Sequence, residues 1–273
     1  MSAKSSIEWT ESTWNPVTGC DRVSPGCDHC YAMTLAKRLK AMGNPRYQQD
    51  GKRKTSGPGF GVTLHHDQVA LPQRWKKSRM IFVNSMSDLF HPDVPDSFIR
   101  DVFDSMSKAH QHTFQILTKR PRRMQRLLSK WTDLAQTPLR HVWLGVSVEN
   151  QEWADKRVPL LLETPAAVRF LSCEPLLGPV DLADYLVPSG GQPAIHWVIV
   201  GGESGPRARP MQLAWARQLR DTCAESATPF FFKQWGGRTP KAGGRELEGR
   251  TWDQMPVTSS AAEVPRRIAI SSP

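Results

Sequence analysis

The sequence predicts an α/β fold in which parallel strands alternate with helices. Short apolar runs rich in β-branched and aromatic residues recur along the 273 residues, and each is followed by a segment with helical spacing of apolar positions. The runs are apolar almost throughout, which is typical of strands buried on both faces. This alternation predicts a complete or partial parallel β/α (TIM-like) barrel, with a doubly wound open sheet as the alternative.

Eleven elements follow from these patterns. Strands are predicted at Met80–Ser85, Thr113–Thr118, His141–Val148, Val168–Ser172, His196–Val200 and Pro229–Lys233, with one or two weaker strands before Met80. Helices are predicted at Tyr31–Met42, Pro95–Ala109, Pro121–Lys130, Gln151–Leu162 and Met211–Ala224. A polar loop at 43–61 has the length of a lid, a binding loop or a disordered segment. Residues 1–255 are expected to form one domain, and 256–273 a disordered tail.

The composition places the chain among basic globular proteins. It carries 36 Lys and Arg against 26 Asp and Glu, a formal net charge of +10. The sequence contains no run of 18 apolar residues, the length that would predict a membrane span, and its N-terminus lacks the apolar core of a secretory signal. A cytoplasmic protein is therefore expected. The charge indicates either a nucleic acid or nucleotide partner or simply a basic surface.

Three clustered cysteines carry the strongest chemical signal. Cys20, Cys27 and Cys30 form a C-x6-C-x2-C motif around a Ser-Pro-Gly turn. In a reducing compartment such a cluster indicates metal ligands before disulfides. Three thiolates suit an iron–sulfur cluster with one open iron; the alternative is a Cys3His zinc site. The fourth zinc ligand would come from elsewhere in the chain, at His65, His66 or His91.

The cysteine motif resembles that of the radical S-adenosylmethionine enzymes, whose usual spacing is C-x3-C-x2-C. The last pair matches, His29 stands where those enzymes have an aromatic residue, and a helix follows at once, whereas the first gap is three residues longer. The resemblance implies a [4Fe–4S] cluster on the three cysteines, S-adenosylmethionine beside it, and an external electron donor. It also implies a barrel of the radical SAM type.

A second resemblance covers most of the chain, from Ile7 to Gly237. The ordered strings TWNPVTGCDRVSPGCDHCYA, NSMSDLFH, ILTKRP, WLGVSVEN, FLSCEPLLGP, WVIVGGESG and PFFFKQWG are similar to the phage-associated three-Cys-motif family. That family is radical-SAM-like, has no assigned activity, and occurs in bacteriophages and mobile elements. The resemblance therefore also implies a phage context and a partner protein encoded nearby.

Polar residues follow most of the predicted strands, where a β/α barrel places its chemistry. The candidates for holding the amino-acid head of S-adenosylmethionine are Asn84, Ser85 and Ser87, and for its ribose Ser147, Glu149 and Asn150. Gly201 and Gly202 would let backbone approach the cofactor, and the candidate catalytic residues are Cys173, Glu203 and Lys233. Structural alternatives exist: Glu149 as a first-turn helix charge, Asn150 as an N-cap and Cys173 as core.

Basic residues also gather at the predicted strand ends. The candidates for contacting nucleic acid are Lys119, Arg120, Arg122, Arg123, Arg207 and Arg209. The leading hypothesis is thus a radical SAM-type enzyme that modifies or repairs a phosphate-bearing substrate. The alternatives are a zinc-bearing nucleic-acid-binding protein without catalysis and a non-catalytic partner protein of a phage or mobile element.

Overall fold

Seven parallel strands form the main sheet of the computed structural model, which describes residues 5–187, 195–239 and 241–257. The strands are β1 (Ser12–Trp14), β4 (Met80–Val83), β5 (Thr113–Thr118), β6 (Val142–Ser147), β7 (Val168–Cys173), β8 (Trp197–Gly201) and β9 (Phe230–Gln234). They pair in chain order, β1-β4-β5-β6-β7-β8-β9, and every pairing is parallel. The sheet curls into a partial β/α barrel, which confirms the predicted fold class.

The helices follow the strands as predicted. They are α1 (Tyr31–Ala41), α2 (His66–Val69), α3 (Asp96–Lys108), α4 (Pro121–Lys130), α5 (Thr132–Gln136), α6 (Gln151–Leu162), α7 (Ala183–Leu186) and α8 (Leu213–Glu225). A small antiparallel pair, β2 (Val17–Thr18) and β3 (Thr63–Leu64), flanks the loop at 43–61. In the described part of the chain, no helix combines the length and apolarity needed to cross a bilayer.

Strand alternation sorts the core into two layers. The larger layer lies between the sheet and its helices; from β6 it takes Val142, Leu144 and Val146, which pack with residues of α3, α4, α6 and α8. The smaller layer lines the concave face with aromatic side chains, among them Phe82, Trp143, Phe170, Trp197 and Phe231. Because both faces are covered, β6 and β8 are buried along their whole length. Polar chemistry is therefore confined to the carboxyl ends of the strands.

The predicted disordered tail, 256–273, lies outside the described residues except for its first two positions.

Candidate functional site

The cysteine loop, residues 20–30, is fixed to the carboxyl edge of the sheet by the turn after β4. Gly19 donates its N–H to the Met86 carbonyl at 3.0 Å and adopts φ of +88°. A Cβ at this position would lie 2.1 Å from the Gly61 carbonyl oxygen. Only glycine meets both conditions, so the chain enters the loop at one defined place and angle.

The long loop 43–61 is ordered and packs against the cysteine loop. Cys20 N–H donates to the Phe60 carbonyl at 3.3 Å, and Arg22 N–H to the Thr55 carbonyl at 3.0 Å. The Asp21 carboxylate accepts from the hydroxyls of Thr55 (2.5 Å) and Ser56 (2.9 Å). Burial acts to raise the pKa of Asp21, but these hydrogen bonds, with one from Lys52, outweigh it and lower the pKa to about 2. These hydrogen bonds hold the loop 43–61 against the cysteine loop.

The three thiols are free and partly buried. Arg120 donates from Nη1 to the Cys20 Sγ at 3.3 Å. Burial raises the pKa of Cys20 to about 12, with Asp88 acting in the same direction and Arg120 against it; burial also raises the pKa of Cys30. Deprotonating these thiols therefore calls for a positive charge stronger than the side chains around them, which a bound metal provides.

One set of potential metal ligands among the described residues has all its donor atoms within 4.8 Å of one another, and it consists of Asp21, His91 and Asp93. The three thiols themselves suit either an iron–sulfur cluster or, with a fourth ligand, a zinc ion. Both His91 ring nitrogens are also engaged, with Asp21 Oδ2 at 3.2 Å and the Asp93 N–H at 3.1 Å.

A clamp from the end of β8 holds the other side of the cysteine loop. Glu203 accepts from His29 Nδ1 at 2.9 Å and from the Arg209 Nε and Nη2 at 2.9 and 2.6 Å. Arg209 also donates to the Pro25 carbonyl at 2.8 Å. Burial tends to raise the pKa of Glu203, but its bonds from Arg209 and His29 lower it to about 2. His29 and Glu203, predicted to contact the cofactor and the substrate respectively, are thus hydrogen-bonded to each other.

A buried charge node supports the loop from beneath. Glu149 is fully buried; its Oε1 accepts from Ser24 Oγ (2.6 Å) and pairs with Lys119 Nζ (3.1 Å). Its Oε2 accepts from Arg157 Nη1 at 2.9 Å. Burial opposes ionisation, but Lys119 and Arg157 lower the pKa of Glu149 below its usual value. A Cβ on Gly26 would lie 2.6 Å from the Glu149 Cγ, so the loop rests directly on this side chain.

Glu149 and Asn150, which were predicted to contact the ribose, are both hydrogen-bonded within the protein. Asn150 is the N-cap of α6, with its Oδ1 accepting the Trp153 N–H at 3.2 Å. Ser147 differs: it lies on the concave side of β6, two residues beyond Gly145, and is paired in register with Ser172 of β7. Its hydroxyl remains a candidate for contact with a cofactor.

Asn84 stands out among the predicted head-group ligands. It follows β4 directly, is 3% exposed and adopts φ of +61°. Its side-chain oxygen and nitrogen both lack a hydrogen-bond partner. Ser85 and Ser87 by contrast donate to Asn15 Oδ1 (3.2 Å) and to the Val17 carbonyl (2.8 Å). An unpaired buried amide costs about 1–3 kcal/mol, which a bound polar ligand would recover.

The mouth of the partial barrel also contains an ion pair. Lys233 of β9 pairs with Glu174, which follows β7. Gly201 lies against both: a Cβ there would be 3.4 Å from the Glu174 carboxyl carbon and 3.5 Å from the Lys233 Cβ. Glycine is required at position 202 because the neighbouring backbone leaves no room for a side chain: a Cβ there would lie 1.9 Å from the Trp235 carbonyl oxygen. The prediction that Gly202 admits a cofactor therefore has a structural alternative.

Cys173, a predicted catalytic residue, lies on the core side of β7 rather than at the mouth. It is fully buried in the layer between sheet and helices, on the same face of β7 as Leu171. Burial raises the pKa of its thiol, with Cys223 of α8 acting in the same direction. The serine before it, Ser172, takes the concave side instead. A one-residue difference in strand alternation is enough to reverse the assignment.

Most of the predicted nucleic-acid contacts are turned toward the protein. Lys119 pairs with Glu149, Arg120 binds Cys20 and Asp88, and Arg209 binds Glu203. Arg123 donates from Nη2 to the Val94 carbonyl at 2.6 Å and pairs with Asp96. The residues that remain exposed, with no partner among the described residues, are Arg122 and Arg207. The basic residues at the strand ends therefore serve first to pair with carboxylates and to contact Cys20 around the cysteine loop.

Arg157 is the supporting residue that sequence reasoning missed. It is 2% exposed, although it belongs to a helix in which the neighbouring Lys156 is exposed. The available signal was its position: Arg157 shares the buried face of α6 with Ala154, Val158 and Leu161. An arginine on an apolar helix face indicates a buried carboxylate opposite.

The fold and the site together define a parallel α/β partial-barrel protein with three thiols fixed above the carboxyl edge of its sheet. The chain belongs to the family described as "Protein of unknown function (DUF5131)", which matches residues 4–256. No match is found among curated proteins. The family match does not address a phage context, which stays a prediction.

Solved structures similar to this chain include three of spore photoproduct lyase. The lyase complexed with dinucleoside spore photoproduct is 13% identical, with a TM-score of 0.49 over 87% of this chain and 78% of that one. A mutant with the same dinucleoside is 12% identical, with a TM-score of 0.47 over the same shares. A mutant with bound AdoMet and the dinucleoside is 12% identical, with a TM-score of 0.43 over 82% and 64%. At these values no residue role is transferred.

Proposed function

We propose that this protein is a radical SAM-type enzyme that modifies or repairs a phosphate-bearing substrate, a nucleic acid or nucleotide. Cys20, Cys27 and Cys30 would hold a [4Fe–4S] cluster. The observation that carries the proposal is the placement of three partly buried thiols, one of them contacted by Arg120, on a loop anchored above the carboxyl edge of a parallel sheet.

The residues around the thiols suit an anionic iron–sulfur cluster. Arg120 contacts Cys20 directly, and Lys119 and Arg209 lie on two further sides of the loop. Donors and positive charge near cluster sulfurs stabilise the cluster and tune its potential. When bound and reduced by an external electron donor, such a cluster would supply one electron for the reductive cleavage of S-adenosylmethionine.

Asn84 would hold the amino-acid head of S-adenosylmethionine. Its unpaired amide offers both a donor and an acceptor, which matches a group carrying an ammonium and a carboxylate. Ser85 and Ser87 shape this turn through their bonds to Asn15 and Val17 rather than binding the cofactor themselves. Ser147, on the concave side of β6, would contact the ribose.

Lys233 would act on the substrate side of the mouth, together with Glu174. The pair lies beside Gly201. Lys233 would donate a proton to the substrate or pair with a phosphate, and Glu174 would orient it through their ion pair. Glu203, by contrast, would act through His29 and Arg209 to position the cysteine loop rather than touch substrate.

Metal analysis of anaerobically purified protein tests the proposal. About four iron atoms and matching sulfide per chain, with 5′-deoxyadenosine released from S-adenosylmethionine under reduction, are expected. Cys30→Ala should abolish both, whereas Cys223→Ala, a buried thiol on α8 remote from the loop, serves as the matched control and should retain both. One zinc per chain and no iron would reject the proposal.

A further inference from the structure

The outward face of α1 is unusually apolar for a protein surface. Tyr31, Leu35 and Met42 are 55%, 38% and 78% exposed, and Val23 at the tip of the cysteine loop is 37% exposed. Four of the seven large hydrophobic side chains found exposed among the described residues thus lie within 23–42. Such clustering of apolar surface marks an interaction site more often than chance.

Helix geometry places these residues in one stripe. Tyr31, Leu35, Arg38 and Met42 recur every three or four positions and therefore share a face. The opposite face is committed to the protein, because Ala32 and Ala36 are buried in a small cluster with Tyr47, Phe60 and Met86. The exposed stripe is therefore available to a partner.

Tyr31 links this stripe to the candidate site. It follows Cys30 directly, and its hydroxyl donates to the Ser85 carbonyl at 2.5 Å. Ser85 is in turn the neighbour of the unpaired Asn84. The ring is consequently tethered at the edge of the mouth while most of its surface stays open, which is the arrangement of a stacking platform.

The charge around the stripe is positive, and three of its five cations have no carboxylate partner among the described residues, since Lys40 pairs with Asp50 and Arg46 with Asp67. Residues 22–46 contain five Lys and Arg but one acid, Asp28, which lies 3.6 Å from Arg209. Arg22, Lys37 and Arg38 are exposed and have no carboxylate partner among the residues described, whereas Lys40 is paired with Asp50. Unpaired cations beside an exposed aromatic ring match a polyanion that also has planar faces.

We infer that the surface formed by Tyr31, Leu35 and Arg38, the α1 surface, binds single-stranded nucleic acid. Arg38 would contact a phosphate, a base would stack on Tyr31, and Leu35 would cover the sugar and base edges. The next nucleotide would then lie at the mouth. A duplex hides its base faces, so it gains only the phosphate contacts. The chemistry done on the strand rests on the proposed function; the binding itself does not.

Fluorescence anisotropy with an oligothymidylate of about 12 nucleotides tests the inference, a length within the usual site size. Tyr31→Leu should weaken binding about 5- to 150-fold, the effect of losing one base stack, while Tyr31→Phe stays within about twofold. Arg38→Gln should lower the slope of log K against log salt by about 0.7, the value for one phosphate contact on a single strand. Arg140→Gln, at the amino end of β6, is the matched control and should leave the slope unchanged.

Several results would overturn the inference: equal affinity for the single strand and its duplex, equal loss in Tyr31→Phe and Tyr31→Leu, or equal slopes in Arg38→Gln and Arg140→Gln. Binding of an acidic protein through the α1 surface, with no oligonucleotide binding, would overturn it as well. Iron content and 5′-deoxyadenosine release are measured separately on the same preparations. A zinc protein that binds the strand through Tyr31 refutes only the proposed function, and an active iron protein that does not bind it refutes only the inference.

Discussion

Replacing Glu149 with glutamine should destabilise the protein strongly, because the carboxylate balances two cations in a buried place. Lys119 Nζ lies 3.1 Å from Oε1 and Arg157 Nη1 2.9 Å from Oε2, and the side chain is fully buried. Two further Arg157 nitrogens already lack partners, and the other acceptor that Nη1 has, the Ser147 carbonyl, carries no net charge. Breaking a buried pair costs about 3–5 kcal/mol. For a chain of this size that corresponds to a fall in Tm of about 6–20 °C.

Urea and thermal unfolding of Glu149→Gln beside Glu152→Gln measures this cost. Glu152 pairs with Lys156 on the exposed side of α6, the helix that carries Arg157. Its replacement should therefore cost at most about 1 kcal/mol. Since the pKa of Glu149 is lowered on folding, its contribution is present above the usual pKa of 4.5 and fades as pH falls, and the two variants should converge in acid. Equal losses for the two variants at neutral pH would refute the reasoning about the buried node.

Three further outcomes follow from the geometry. Gly19→Ala should cost roughly 2–4 kcal/mol of unfolding free energy in urea titrations, from its φ of +88° and the close Gly61 carbonyl, and a loss below 1 kcal/mol would contradict the described contact. Glu203 has a pKa lowered to about 2, so it stabilises the fold above pH 4.5 and stabilises it less as the pH falls toward 2. Glu203→Gln should therefore flatten the pH dependence of Tm between pH 4.5 and 2. An unchanged profile would count against the ion-paired clamp of Glu203, His29 and Arg209. Cys173→Ala should keep 5′-deoxyadenosine release and product formation while lowering stability by about 1 kcal/mol, because the thiol lies in the outer core layer; a loss of product alone would restore it as a hydrogen donor.

The fold was predictable because the local spacing of apolar residues distinguishes strands from helices. The predicted helices Pro121–Lys130 and Gln151–Leu162 and the strand Thr113–Thr118 match the structure residue for residue. Strand β1, Ser12–Trp14, lies where weaker strands were predicted before Met80, but its bounds were beyond such reasoning, since three residues carry too little pattern. It is defined by pairing with Ile81–Val83, a long-range contact.

The sequence predicted which residues lie near the candidate site, but not which hydrogen bonds and ion pairs they form. Which residues end strands follows from the sequence, and so the cysteine loop, Asn84 and Glu203 were found. Which partner each side chain chooses depends on contacts between distant segments. Arg120 and Arg209 look like ligands for external phosphate until Cys20 and Glu203, brought from elsewhere in the chain, are seen to occupy them.

The supports of the cysteine loop also set an order of assembly in time. Ser24 bonds to Glu149 across 125 residues, and Arg209 to Pro25 across 184. During synthesis the cysteines leave the ribosome first, long before the strands that fix them exist. The loop therefore reaches its final shape only when β8 has joined the sheet. A cofactor loaded at that stage enters a nearly finished protein, so the thiols stay open to competing metals throughout translation of the later half.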